Sequence, residues 1–121
     1  MKIAVIDEGV LPVFNKELNI IEDLMVSSEN LVINSSDDVL ISTDHGFNVC
    51  KIINKYAPEA EIISIRISNS TEVNANIRAL ITAFKYCLDN NISKCHNIIT
   101  YLSRTLTYSQ ATHLYFSILY F

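Results

Sequence analysis

The chain opens on an apolar run. After Lys2 come Ile3, Ala4, Val5 and Ile6, with no polar position between them. A continuous run rich in β-branched residues predicts a strand buried on both faces of a parallel sheet. Residues 11–30 are patterned less clearly, and LNIIEDLM (18–25) reads as a short helix. LVIN (31–34) reads as a second strand, SSDD (35–38) as a polar turn and VLIS (39–42) as a further short extended piece. Helical spacing then sets in with Val49, Ile52, Ile53 and Tyr56. Thr43 or Asp44 is placed to cap that helix, and Ala57-Pro58 ends it. EIISIRI (61–67) is a strongly β-branched strand. A second helix is predicted over about 72–90, with Val73, Ile77, Leu80, Ile81, Phe84 and Leu88 as its apolar stripe and Asn90-Asn91 as its stop. NIITYL (97–102) reads as the next strand.

Strand, helix, strand, helix, strand predicts an α/β fold: a parallel sheet with right-handed crossovers and helices on both faces. No repeat, low-complexity linker or domain boundary interrupts residues 1–121, which are expected to form a single domain.

Composition narrows the function classes. Half of the 121 residues are hydrophobic, enough for a core, and the net charge is -4 with Lys and Arg scattered. Phosphate neutralisation along a nucleic acid is therefore not expected. The apolar N-terminal run is shorter than a secretory leader requires, and ATHLYFSILYF (111–121) is too short to span a bilayer. These readings point to a cytoplasmic protein without a membrane partner. The three cysteines, Cys50, Cys87 and Cys95, lack the paired spacing of a zinc site, so neither metal nor cofactor is expected.

The chain has only two glycines, and each follows an ionisable residue: Asp7-Glu8-Gly9 and Asp44-His45-Gly46. Ligands of α/β sheets gather at the carboxyl ends of strands, where Asp7 falls, and Gly9 allows a sharp turn just after it. His45 falls at the start of the first firm helix. An aspartate on one ring nitrogen would fix the imidazole tautomer and leave the other nitrogen as a base. Asp7 as a plain turn residue and Asp44-His45 as a plain helix cap are the competing readings.

IAVIDEGV (3–10) resembles the aspartate motif of the subtilisin-like serine peptidases, V-A-V-I-D-[ST]-G-[IV]. HGFNVCKII (45–53) resembles their histidine motif, H-G-T-x-V-A-G-I-I, and YAPEAEIISIRI (56–67) is similar to the segment that follows it. The family order, Asp then His then Ser, also agrees. The resemblance covers about residues 1–105, with 106–121 an atypical tail, and implies a subtilisin-like fold acting on peptide or protein substrates. By it, Asp7 orients the imidazole and His45 is the general base toward a serine hydroxyl.

The departures are specific. Glu8 stands where the family has Ser or Thr; Phe47, Cys50 and Lys51 stand where it has Thr, Ala and Gly. NIITYLSRT (97–105) lacks the glycine of I-N-x-S-L-G-T. Neither the G-N motif of the oxyanion asparagine nor the G-T-S-x-[AS] motif of the nucleophile occurs, and Ser103, Ser109 and Ser117 lack its glycine-flanked setting. The expectation is an incomplete subtilisin-like domain that is inactive alone. The alternative is a non-catalytic peptide- or protein-binding module that takes a peptide by strand addition along EIISIRI and an exposed sheet edge. An unpaired sheet edge or the aromatic tail is expected to favour self-association. Dinucleotide-binding and phosphate-loop readings fail for want of glycines.

Overall fold

The computed structural model describes residues 1–35, 41, 44–67, 73–92 and 94–97. Among the described residues five strands and two helices follow in order: β1 (Lys2–Asp7), β2 (Ile20–Val26), β3 (Val32–Asn34), α1 (His45–Tyr56), β4 (Glu61–Arg66), α2 (Val73–Asp89) and β5 (Lys94–Asn97), with a 3-10 turn at Pro12–Phe14. This is a mixed α/β fold. The sheet order is β3-β2-β4-β1-β5. β1 pairs in parallel with β4 and β5, β4 in parallel with β2, and only the short β3 is antiparallel. The steps from β2 to β4 and from β4 to β5 run in the same direction along that order.

β1 lies inside the sheet, as its uninterrupted apolar run predicts. Its alternate residues divide between two cores. Ala4 and Ile6 join Ile63 and Ile65 of β4, Leu24 and Val26 of β2, and Ile77, Leu80, Ala83 and Cys87 of α2. Val5 joins Ile62, Ile20, Val10, Leu18 and Cys50 of α1. Burying a side chain of this size stabilises the fold by about 1.5–3 kcal/mol, so these two groups hold the sheet and helices together.

The expected helix at 18–25 is instead β2. A register shift between Ile20 and Glu22 explains why its pattern misleads. Ile20 and Leu24 are four apart, as on one helix face, yet the extra residue at Ile21 sends them to different cores. Ile21 itself is 42% exposed. Deleting Ile21 therefore regularises the pairing and keeps both cores. It is expected to change the urea-unfolding free energy by no more than about 1 kcal/mol. Deleting Asp23, past the bulge, reverses the facing of Leu24 and Val26, and that variant is expected not to fold. Equal behaviour of the two deletions would exclude this account of the strand.

Further differences follow from the register. On α1 the buried face runs through Gly46 and Cys50, with Phe47, Val49 and Ile53 beside it, whereas Ile52 and Tyr56 are exposed. On α2, Cys87 and Ala83 are buried, and Leu88, expected in the stripe, is exposed. β4 has neighbours on both sides. EIISIRI is thus no sheet edge, and its backbone is not open to strand addition. β5 begins at Lys94, three residues before the expected strand. Residues 98–102 lie outside the described residues, as does VLIS apart from Ile41. No helix among the described residues is long and apolar enough to cross a membrane.

Candidate functional site

Asp7 is the last residue of β1 and lies two positions after Val5. Strand alternation therefore gives it the side of β1 on which the α1 cluster packs. From β1 the chain goes to strands on one flank, and among the described residues only β5 returns to the other. Such a change of direction opens a crevice at the carboxyl ends of the strands. Asp7 stands there, 2% exposed. Its Oδ1 accepts the Glu8 N–H at 2.7 Å, and its backbone carbonyl accepts the Ile67 N–H at 2.9 Å. Gly9 follows at φ +102°, a conformation that residues with a Cβ rarely adopt.

His45 is the first residue of α1. Asp44 occupies the cap position but makes no side-chain cap bond, so the expected capping by its carboxylate does not occur; Thr43 lies outside the described residues. What locates the helix is a contact between the two glycines. A Cβ on Gly46 would sit 2.8 Å from the carbonyl oxygen of Gly9 and 3.5 Å from Cγ2 of Val10. The helix start presses directly on the turn that leaves β1, and both glycines are needed for that approach. This close backbone packing accounts for a pair of glycines in a chain that has no others.

The consequence is the pairing of Asp7 and His45. Nδ1 of His45 lies 2.5 Å from Oδ2 of Asp7, with the histidine side chain 54% exposed and the aspartate 2%. An ionised carboxylate only accepts hydrogen bonds, so Nδ1–H is the donor. In the neutral ring Nε2 then keeps its lone pair. The sequence reading of Asp7 as a plain turn residue and His45 as a plain cap does not account for this contact.

Neighbours shape the field around the pair. Arg66 ends β4 opposite Asp7 in register, and its side-chain stem packs against Gly9. Burial pushes its guanidinium below the ordinary value, and the charges of Asp23 and Glu8 oppose that shift. Sequence reasoning missed Arg66 as a site residue. The signal was the equal length of KIAVID and EIISIR, which brings the last residue of each to one level of the sheet. Cys50 is fully buried on α1. Burial first and the Asp7 charge second push its pKa up to about 12. Cys50 should thus resist iodoacetamide at pH 8 in the native chain and react at once in urea. The sign of its effect on stability follows: the unfolded thiol ionises from about pH 9 while the folded thiol holds its proton, so stability falls as pH rises from about 9 to 12. Cys50→Ala should flatten that decline in alkaline urea titrations; an unchanged slope would contradict it.

A cleft of about 190 Å³ adjoins the pair, lined by Gly9, Val10, Leu11, Phe14, Ile41, Asp44, Phe47 and Asn48. The rings of Phe14 and Phe47 meet with centroids 4.7 Å apart. Among the described residues no three His, Cys, Asp or Glu side chains converge on a metal position. Ser103, Ser109 and Ser117 lie outside the described residues. No family model matches the chain, and no curated protein or solved structure matches it significantly.

Proposed function

We propose that this chain carries the aspartate and histidine of a cytoplasmic subtilisin-like serine peptidase. Asp7 orients the ring and stabilises the imidazolium that forms. His45 removes the proton from a serine hydroxyl through Nε2 and returns it to the leaving amine. The observation that carries the reading is the Asp7–His45 contact: a buried carboxylate holding one nitrogen of an exposed imidazole, in the chain order of the family.

The surroundings support it. The two cores draw on alternate positions of β1, which favours a sheet with one helix on each face. Crossovers that step the same way with helices on opposite faces have opposite hands, so on this reading only one of the two is right-handed. The departures from the histidine motif are accommodated. Lys51 is exposed, with Nζ 5.4 Å from the Phe47 ring centroid; Phe47 meets Phe14 in a tilted ring contact, and Cys50 fills the core. The buried free thiol of Cys50 suits a reducing compartment.

A general base without a nucleophile and oxyanion donors does not cleave a peptide bond. These 121 residues alone are therefore expected to show no peptidase activity and no labelling by a fluorophosphonate probe. Reading the coding DNA past codon 121 in all three forward frames tests the assignment. A frame with G-N and G-T-S-x-[AS], whose product supplied with this chain restores probe labelling that His45→Ala abolishes, is the expected result. Unrelated sequence in every frame would sink the peptidase reading.

A further inference from the structure

We propose that His45 is itself a nucleophile, and that this chain hydrolyses activated, uncharged esters of apolar carboxylic acids with the neighbouring cleft holding the acyl chain. This goes beyond the peptidase reading because it needs no serine.

Three features of the site carry the proposal. Imidazole is a competent nucleophile toward acyl carbon when its ring is neutral and one nitrogen is free. The 2.5 Å contact from Nδ1 to the buried Asp7 carboxylate leaves that free nitrogen at Nε2, on a side chain 54% exposed. The cleft begins one residue before His45 and two residues after Asp7. Asp44 precedes His45, and Gly9 and Val10 form the turn after Asp7. Val10, Leu11, Phe14 and Phe47 give it an apolar wall, and Asp44 and Asn48 are its polar lining. Its volume of about 190 Å³ exceeds the ~150 Å³ of an apolar cavity that takes up benzene, room for a short aliphatic or aromatic acyl chain. The field at the pair is mixed, with Glu8 and Asp44 flanking it in sequence and Arg66 opposite Asp7, so a neutral ester meets no net electrostatic barrier there.

The reaction balances with water as the only co-reactant. Nε2 attacks the ester carbonyl, the bond from carbonyl carbon to the leaving oxygen breaks, and the phenolate departs. The Nδ1 proton moves toward Asp7, which leaves an acyl-imidazole. Water then adds to the acyl carbon and gives one proton to solvent, matching the phenolate already released; Asp7 returns its proton to Nδ1, the C–Nε2 bond breaks, and the carboxylic acid leaves. Seating the acyl chain in the cleft turns a bimolecular encounter into an oriented one, the source of rate advantage over free imidazole.

The test uses the full chain with p-nitrophenyl acetate and p-nitrophenyl hexanoate near pH 7, before and after treatment with a fluorophosphonate. We expect a second-order rate constant at least about tenfold above that of 4-methylimidazole, higher for hexanoate than for acetate and unaffected by the phosphonate. His45→Ala should abolish the excess, and Leu11→Ala should raise KM for hexanoate with little change for acetate. Acid-quenched wild-type chain should carry the hexanoyl group on His45 in peptide mass spectra, which tests the nucleophile even if a variant misfolds. A wild-type rate no higher than that of 4-methylimidazole, or a rate retained by His45→Ala, would overturn the proposal. So would an acyl group found elsewhere or the absence of hexanoate preference. Loss of the activity on phosphonate treatment would also overturn it, while supporting a serine nucleophile. Ester hydrolysis in a chain whose coding DNA holds no downstream serine motif would leave this inference standing and the peptidase reading refuted.

Discussion

Asp7→Asn should lower ester hydrolysis through His45 by about two orders of magnitude or more while the chain stays folded. The reason is the hydrogen on the ring. The asparagine carbonyl can still accept the Glu8 N–H, so the 2.7 Å bond that closes the turn survives. The amide group, however, presents an N–H to Nδ1 where the carboxylate presented an acceptor. Nδ1 must then become the acceptor, the proton moves to Nε2, and the lone pair that attacks is gone. Nitrogen-15 spectra of the neutral ring report this directly: wild type should show Nδ1 protonated, and the variant Nε2 protonated. A role for Asp7 confined to packing would leave the tautomer unmoved. An unchanged tautomer together with an unchanged kcat would remove Asp7 from the site.

Gly46→Val should be the most damaging single substitution at the site, destabilising the chain by about 3 kcal/mol or more. Two effects compete, and their sizes decide the sign. Glycine inside a helix costs about 1 kcal/mol relative to alanine, so by propensity alone Gly46→Ala would stabilise α1. Against this, a Cβ at residue 46 meets the Gly9 carbonyl oxygen at 2.8 Å, a backbone atom with no side-chain freedom to yield. The clash therefore outweighs propensity. Alanine should be net destabilising by about 1–2 kcal/mol, and valine, with two more carbons and a stiff χ1, by more. Urea unfolding gives the order wild type, Ala, Val. An Ala variant more stable than wild type would show that α1 does not rest on the β1 turn. Because His45 precedes Gly46, both variants should also weaken the Asp7–His45 contact, visible as loss of the Nδ1 tautomer before the fold is lost.

Much of the fold is present in local pattern. KIAVI and EIISIRI carry more β-branched residues than a helix readily tolerates and no polar side between them, so they become interior parallel strands. The first helix stops at its Ala57-Pro58 signal and the second at its asparagine pair. Asp7 and His45 could be named because each stands beside one of the chain's two glycines at an element end, in motifs that resemble a known pairing. Three features had no local signature. The bulge at Ile21 shifts the phase of β2 and makes a strand imitate helical spacing. The buried face of α1 passes through Gly46 and Cys50, a residue without a side chain and a small thiol, while the more hydrophobic Ile52 lies outside. Arg66 joins the site through register with Asp7, 59 positions earlier in the chain.

The division has a physical cause. Backbone sterics and side-chain branching act between neighbours a few residues apart, so the amino-acid sequence by itself determines which segments extend, which coil and where they turn. The distance between Asp7 and His45 depends on how closely α1 approaches the end of β1, and that approach is set by a glycine carbonyl facing a glycine Cα across 37 residues of chain. Only the packed structure contains that contact, and with it the orientation of the imidazole.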